Sequence, residues 1–120
     1  MTGLRVRIKR VYDAPDPADG YRILVDRLWP RGVSSERDEL DEWRGDLAPS
    51  PALRSWFGHD PARFAEFRER YRAELAANPA LEPLREEIRG RRATTLLYAA
   101  RDARHNHALV LRELLDEVPA

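Results

Sequence analysis

A continuous apolar run at residues 23–25, Ile-Leu-Val, is the feature that most limits how this chain can fold. It leads without a break into charged and aromatic residues and a Pro/Gly turn: Asp26, Arg27, Trp29, Pro30, Arg31 and Gly32. In α/β proteins, a buried strand that ends in this way is typical of a ligand site at the strand's carboxyl end. Residues 21–32, YRILVDRLWPRG, are therefore the first place to look for a functional site.

Two further segments have strand patterns. Residues 6–11 alternate apolar and basic side chains, which predicts a strand with one buried face. Residues 94–100, TTLLYAA, form a short apolar run that predicts a second buried strand, and Arg101 and Asp102 follow it directly. Both buried strands thus end in an aspartate and an arginine.

The segment between the two buried strands has helical patterns. A serine, an aspartate and an asparagine each precede a proline, at 50–51, 60–61 and 78–79, which is a common start of a helix. An earlier helix is predicted from a capping box formed by Ser35 and Asp38, followed by apolar residues three and four apart: Leu40, Trp43 and Leu47. A last helix is expected to open at Asn106.

These patterns predict the element order β-β-α-α-α-α-β-α in a single domain spanning residues 1–120. The predicted fold class is α/β, with a small, mostly parallel sheet and helices packed on it. A long helical crossover joins the two buried strands, so they are expected to be parallel if they are neighbours. Trp43 and Trp56 lie on helical stripes and are expected in the core, whereas Trp29 lies beside a turn and is expected to line a cleft.

Composition excludes several functions. The 120 residues include 21 basic and 21 acidic side chains, and this balance argues against binding to nucleic acid or to a membrane surface through bulk charge. The chain has no cysteine, which excludes disulfides, thiolate metal sites and a cysteine nucleophile. No apolar run approaches the ~20 residues that span a bilayer, and we expect a soluble cytoplasmic protein.

The two strand ends define a candidate site. If the buried strands are parallel neighbours, their aspartates and arginines meet at one edge of the sheet, where the arginines and the start of the last helix could hold an anion. The same residues could instead form structural ion pairs that close the sheet edge. All but one of the basic residues are arginine, so any single arginine is weaker evidence for anion recognition than usual.

Metal and cofactor sites are not expected. His59, His105 and His107 have no carboxylate at a familiar metal-ligand spacing, and the sequence has no glycine-rich phosphate loop. We therefore predict neither a metal nor a cofactor, and no protein partner can be named.

Four segments carry a family resemblance. They are RILVDRLWPRGVS at 22–34, W-x-x-x-LAPS-x-x-LR-x-WF at 43–57, F-x-x-x-Y-x-x-EL at 67–75, and TLLYAARD-x-x-x-N-x-A-x-VL at 95–111. Together they resemble the DUF488 family, in the branch known as YeaO-like. The resemblance implies a compact α/β fold, a bacterial cytoplasmic protein and no established reaction. Broader members carry a cysteine-containing loop near the last strand, and the absence of cysteine here puts thiol chemistry inferred from them in doubt.

The resemblance also widens the set of candidate residues. Its hallmark positions add Pro30, Gly32, Ser50, Arg54 and Tyr98 to those at the strand ends, although Ser50 taken alone reads most simply as a helix N-cap. The candidate ligand-binding residues are Asp26, Arg27, Trp29, Arg31, Ser50, Arg54, Tyr98, Arg101, Asp102 and Asn106, and no catalytic residue is assigned.

Two functions stay open at this point. The first is a site for a small anionic molecule, with or without catalysis, at the carboxyl ends of the two central strands. The second is a protein-interaction or regulatory module that docks through the DRLWPRG turn without catalysis, since an aromatic residue and an arginine together are common at interface hot spots.

Overall fold

A parallel β-sheet organises residues 6–116, the part of the chain that the computed structural model describes. Its strands are β1 (Val6–Arg10), β2 (Tyr21–Leu24), β3 (Glu42–Trp43) and β4 (Thr94–Tyr98), in the spatial order β1-β4-β2-β3. The α-helices are α1 (Pro51–Phe57), α2 (Phe64–Ala76), α3 (Leu81–Arg89) and α4 (His107–Asp116). The α/β class and the parallel sheet predicted from the sequence are confirmed.

Strand β4 lies between β1 and β2 and pairs with both in parallel. Its register with β2 joins Tyr21 to Thr94 at one end and Leu24 to Leu97 at the other. Beyond the last paired residues, the amide N of Val25 donates to the carbonyl O of Leu97 over 3.0 Å. The two strands therefore end level with each other, and the segments that follow them leave the same edge of the sheet.

Both faces of β2 are covered, as the continuous apolar run predicts. Ile23 and Val25 point into the main core, which they share with apolar side chains of all four helices. Leu24 points to the opposite face and packs with Leu97, beneath partly buried residues that include Val33. Alternate residues of a strand face opposite sides of the sheet, so an unbroken apolar run requires cover on both. Here the helices cover the face with Ile23 and Val25, and a loop covers the face with Leu24.

That loop replaces the first predicted helix, and the predicted element order is wrong at this point. Residues 35–39 form turns, and β3 follows as a third strand, so the order becomes β-β-β-α-α-α-β-α. Asp38 accepts a hydrogen bond from the amide N of Ser34, not Ser35, over 2.9 Å, and Glu39 has a left-handed φ of 54°. A left-handed residue cannot continue an α-helix, so the chain turns and pairs with β2 instead.

A buried arginine holds this loop in place. Arg22 of β2 donates to the carbonyl O of Asp38 over 2.9 Å and to that of Glu39 over 3.1 Å, which fixes the turn at these two residues. Its remaining guanidinium nitrogen bonds the carboxylate of Asp19, which Lys9 also contacts over 3.0 Å. Burial acts to raise the pKa of Asp19, but the hydrogen bonds that it accepts outweigh burial and the pKa is lowered.

The later helices begin where the sequence predicts. Ser50 accepts a hydrogen bond from the amide N of Leu53 and caps α1, which ends at Gly58 in a left-handed conformation with φ 54°. Asp60 caps a short 3-10 turn that leads into α2. Within residues 6–116 no helix is both long and apolar enough to cross a membrane.

We expect Leu97→Ala to lower the free energy of unfolding by about 2–5 kcal/mol, because it removes a fully buried side chain from the second, loop-covered face of the sheet. Urea denaturation measures this change. Leu28→Ala is the matched control: Leu28 is 60% exposed, and its truncation should change stability by no more than about 0.5 kcal/mol. Equal effects of the two substitutions would contradict the assignment of Leu97 to the core.

Candidate functional site

A cavity of about 370 Å³ opens where β2 and β4 end. The segment after β2, the segment after β4, α1 and the start of α4 all contribute to its wall. Its volume falls within the range of about 300–1,000 Å³ that is usual for small-molecule sites. Six of the ten candidate residues line it: Asp26, Arg27, Trp29, Arg31, Arg54 and Asn106.

The other four candidates do not line the cavity. Ser50 caps α1, and its hydroxyl bonds the carboxylate of Glu74 over 2.6 Å. Tyr98 is a core residue that is 2% exposed, and burial raises the pKa of its phenol. Arg101 is exposed, outside the cavity wall.

Asp102 has a local role at the approach to α4. Its carboxylate accepts hydrogen bonds from the amide N of Arg104 over 2.9 Å and of His105 over 3.1 Å, and it lies 2.9 Å from Nδ1 of His105. The Arg104 amide and then the His105 ring lower its pKa. Asn106 continues this turn, since its side chain donates to the Asp102 carbonyl and accepts from the Leu109 amide N. These contacts fix the start of α4 at the cavity edge.

Asp26 joins the two strand ends. Its Oδ2 accepts a hydrogen bond from the amide N of Ala99 over 3.1 Å, and its Oδ1 lies 3.2 Å from Nε2 of His107. The His107 nitrogen is nearer to the Val25 carbonyl O, at 3.0 Å. A carbonyl can only accept, so Nε2 carries the proton and donates it there. Oδ1 of Asp26 is buried and has no hydrogen-bond partner among the described residues.

The expected aspartate–arginine ion pairs do not form. Among the described residues, the basic side chains within 4.0 Å of Asp26 and Asp102 are histidines, His107 and His105. Arg27 is instead held by backbone, with Nε and Nη2 donating to the carbonyl O of Pro49 over 3.2 and 3.0 Å. The structural ion pairs considered from the sequence are therefore absent from this edge of the described structure.

Three arginines contribute positive charge to the cavity. Arg27, Arg31 and Arg54 line it, and within residues 6–116 none of them has a carboxylate within 4.0 Å. Arginines on the outer surface contrast with them: Arg68 pairs with Glu113 over 2.9 Å, and Arg91 pairs with Glu87 over 3.0 Å. Asp26 is the single carboxylate in the described cavity wall, so the wall is cationic on balance.

Aromatic side chains form one rim of the cavity. Trp29 lines it, as expected for a residue beside the turn, and its Nε1 donates to the Val33 carbonyl O over 2.9 Å. Its ring meets that of Trp43 edge to face, with centroids 5.2 Å apart. The prediction that Trp43 lies in the core is wrong, because the helix that would have buried it is absent and its side chain is 48% exposed. Trp56 is partly buried and packs against the core.

Several lining residues were not candidates from the sequence. His107 is the first residue of α4, and the rule that a helix following a strand starts at the same sheet edge could have indicated it. Phe57 and Phe67 are core aromatics whose edges reach the cavity, and the sequence contains no signal for that. Within residues 6–116, no group of three or more histidine and acidic side chains is arranged to hold a metal ion.

Fold and site together define a small α/β protein with a cationic cavity at the carboxyl edge of a parallel sheet. The family model described as the inactive DUF488-N3 subclade matches residues 5–119, and the chain belongs to that family.

Two relatives of similar sequence carry the description uncharacterized protein. The chain is 46% identical over 112 residues to the uncharacterized protein Rv3073c of Mycobacterium tuberculosis, covering 93% of this chain and 94% of that protein. It is 45% identical over 112 residues to the uncharacterized protein YeaO of Escherichia coli, covering 93% of this chain and 97% of that protein. No solved structure gives a significant match.

We expect Arg31→Ala to change the free energy of unfolding by no more than about 0.5 kcal/mol, because its exposed side chain makes no hydrogen bond or ion pair with the described residues. Arg22→Ala should lower it by about 3–5 kcal/mol, since Asp19 would lose its buried partner. Urea denaturation of both variants measures the difference. A loss for Arg31→Ala as large as that for Arg22→Ala would assign Arg31 a structural role.

Proposed function

We propose that the protein binds a small anionic molecule in the cavity at the carboxyl ends of β2 and β4. The observation that carries this proposal is the set of three cavity arginines, Arg27, Arg31 and Arg54, which no carboxylate of the described residues neutralises. A guanidinium presents a planar fork of donors that matches carboxylate and phosphate groups. An anion that enters the cavity would supply the missing counter-charge.

The three arginines differ in how firmly they are held. Two nitrogens of Arg27 bond the Pro49 carbonyl, and Nη2 also lies 3.3 Å from the Ala48 carbonyl, so its orientation is set before a ligand arrives. Arg31 and Arg54 have no such anchors among the described residues and can adjust to the ligand. One preorganised and two adaptable cations favour recognition of an anionic group over a range of ligand shapes.

Binding without catalysis is the form of this function that the family favours. The subclade is described as inactive. The chain has no cysteine to act as a nucleophile. Asp26 and His107 lie close together in the wall, but His107 directs its Nε2 proton to the Val25 carbonyl and so orders the backbone there. We therefore assign the cavity to ligand recognition and assign no reaction.

Ligand binding is tested by a thermal-shift screen of phosphorylated and carboxylated metabolites against the parent protein. A ligand present at one hundred times its dissociation constant adds about 2.7 kcal/mol to the stability of the folded state. Arg27→Ala and Arg54→Ala should each weaken binding by about tenfold or more, because a hydrogen bond to a charged group is worth about 1.5–3 kcal/mol. Arg101→Ala is the matched control, since Arg101 is exposed and lies outside the cavity.

Two results would contradict this function. One is a screen in which no anion raises the melting temperature of the parent protein. The other is an equal loss of binding in Arg101→Ala and Arg54→Ala, which would place the anion on the general basic surface and not in the cavity.

Docking of a protein through the DRLWPRG turn is a second candidate, favoured by the exposure of its apolar side chains. Leu28 is 60% exposed, Trp29 is 40% exposed, and the neighbouring Trp43 is 48% exposed. Gly32, with a left-handed φ of 77°, closes the turn that presents them. Exposed aromatic side chains with adjacent arginines are typical of interface hot spots.

Trp43→Ala separates the two candidates, because Trp43 is exposed yet does not line the cavity. Docking predicts that one identified partner copurifies with the parent protein and is lost in Trp43→Ala, while anion binding is weakened less than in Arg54→Ala, because Trp43 contacts the cavity only through its rim residues Trp29 and Asp26. Arg54→Ala should give the opposite pattern. Affinity purification with mass spectrometry, paired with the thermal-shift measurement, reads out both. Retention of the partner by a folded Trp43→Ala variant would count against docking at this surface.

A further inference from the structure

We infer that His107 contacts the anion directly through Nδ1, and that this nitrogen takes up a proton from solvent when the anion binds. The inference rests on the proposed anion site and adds a ligand-contacting residue and a proton to it. In the bound state, the imidazolium of His107 lies between the anion and the carboxylate of Asp26. An anion of constant charge therefore binds more tightly as the pH falls.

The first observation is that the His107 ring is held with one nitrogen turned away from the cavity. Its Nε2 lies 3.0 Å from the Val25 carbonyl O and 3.2 Å from Oδ1 of Asp26. Tyr71 of α2 packs against the ring, with centroids 6.4 Å apart. Because a carbonyl only accepts, the neutral imidazole carries its single proton on Nε2 and a lone pair on Nδ1.

The second observation is that Nδ1 of His107 is accessible. The residue lines the cavity, and in the described part of the chain Nδ1 has no hydrogen-bond partner. It is nevertheless not among the buried side-chain atoms that lack a partner, so solvent reaches it. Since Nε2 is directed to the end of β2, Nδ1 is the ring nitrogen left to contact a molecule in the cavity.

The third observation is a negative charge behind the ring. Oδ1 of Asp26 is buried, has no hydrogen-bond partner within residues 6–116 and lies against Nε2 of His107. A buried carboxylate without a counter-charge is disfavoured. A positive charge on the imidazole supplies that counter-charge, and it also gives Nδ1 a proton to donate. One protonation thus serves the buried carboxylate on one side and the anion on the other.

The rest of the site explains why the proton arrives with the anion. The cavity wall carries the arginines Arg27, Arg31 and Arg54. Like charges disfavour a further cation, and so does the N-terminus of α4, where His107 lies. A bound carboxylate or phosphate offsets the charge of the arginines and offers an oxygen to Nδ1. Anion and proton therefore favour each other, and this coupling is reciprocal.

Other titratable groups around His107 are less suited to take the proton. Burial raises the pKa of Tyr71, so its phenol is neutral, and it donates to the Leu47 carbonyl over 2.5 Å. Tyr12 of the cavity wall donates its hydroxyl proton to the Arg31 carbonyl over 2.9 Å. His59 also lines the cavity, but among the described residues no carboxylate lies within 4.0 Å of it.

Isothermal titration calorimetry with sulfate and benzoate tests the proton linkage in the parent protein. Both probes keep a constant charge between about pH 6 and about pH 8, a range in which histidine side chains change charge. We expect a probe that binds to do so about tenfold more tightly at the lower pH. Titrations near pH 7 in buffers of different ionisation enthalpy should show net uptake of protons.

NMR spectra of the histidine rings test the site of the proton. Long-range correlations between ring protons and ring nitrogens distinguish a protonated nitrogen from an unprotonated one. In the free protein at about pH 8, Nε2 of His107 should be protonated and Nδ1 should not. Saturating sulfate at about pH 7 should protonate Nδ1. A purely structural role of the ring would leave both nitrogens unchanged when sulfate is added.

His107→Gln tests the residue itself, because glutamine keeps an N–H donor but does not titrate. Its affinity for the probes should be the same at both pH values. His105→Gln is the matched control, since His105 pairs with Asp102 and lies outside the cavity, and it should keep the tenfold difference. His59→Gln should also keep the difference, and its loss there would assign the proton to His59 and overturn the inference.

The outcomes separate this inference from the anion site itself. If sulfate or benzoate binds equally at both pH values, the proton linkage is wrong and the anion site stands. If neither probe binds at either pH, both fail. Tighter binding at low pH that His105→Gln keeps and folded His107→Gln loses supports the inference. Where His107→Gln does not fold, the protonation of Nδ1 in the parent protein decides.

Discussion

The parallel pairing of β2 with β4 is the constraint on which the rest of this structure depends. Their register sets Leu24 beside Leu97, so the segments that follow leave the sheet at one edge. Asp26 then joins these segments through its hydrogen bond from the Ala99 amide N. Because parallel strands require a long crossover, α1, α2 and α3 lie between them in sequence and pack on one face of the sheet. That crossover also brings Arg54 of α1 to the cavity.

The loop between β2 and α1 serves both the core and the site. Arg22 of β2 donates hydrogen bonds to two carbonyls of this loop. The edge-to-face contact of Trp29 with Trp43 lies on the outer side of the same loop. Trp43 also donates to the Asp26 carbonyl O over 2.8 Å, which ties the short strand β3 to the turn that forms the cavity rim. A helix at residues 35–47 could not make these contacts. The buried ion pair of Arg22 with Asp19 therefore shapes the cavity indirectly, by fixing the loop from which its rim is built.

The sequence predicted where the cavity lies better than it predicted which residues line it. Residues directly after a buried strand, such as Asp26 and Arg27, were found because a strand end is marked by a change from apolar to charged residues. Arg101 occupies the equivalent place after β4 yet lies outside the cavity. The predicted ion pairs failed for a related reason: charge type is visible in sequence, but the direction of a side chain is not. Asp26 and Asp102 meet histidines instead of arginines.

Local patterns in this chain were sufficient for the α/β class, the central position of β2 and the starts of α1 and α2, because caps, turns and apolar runs act over a few residues. Tertiary contacts determined the conformation of residues 35–47. Their helical spacing is real, but a buried arginine from β2 binds the carbonyls of the turn at Asp38 and Glu39, and pairing with β2 satisfies the backbone of β3. The unpartnered oxygen of Asp26 likewise arises only when two distant strand ends and the start of α4 meet. Such a site depends on three-dimensional geometry, which no short stretch of sequence contains.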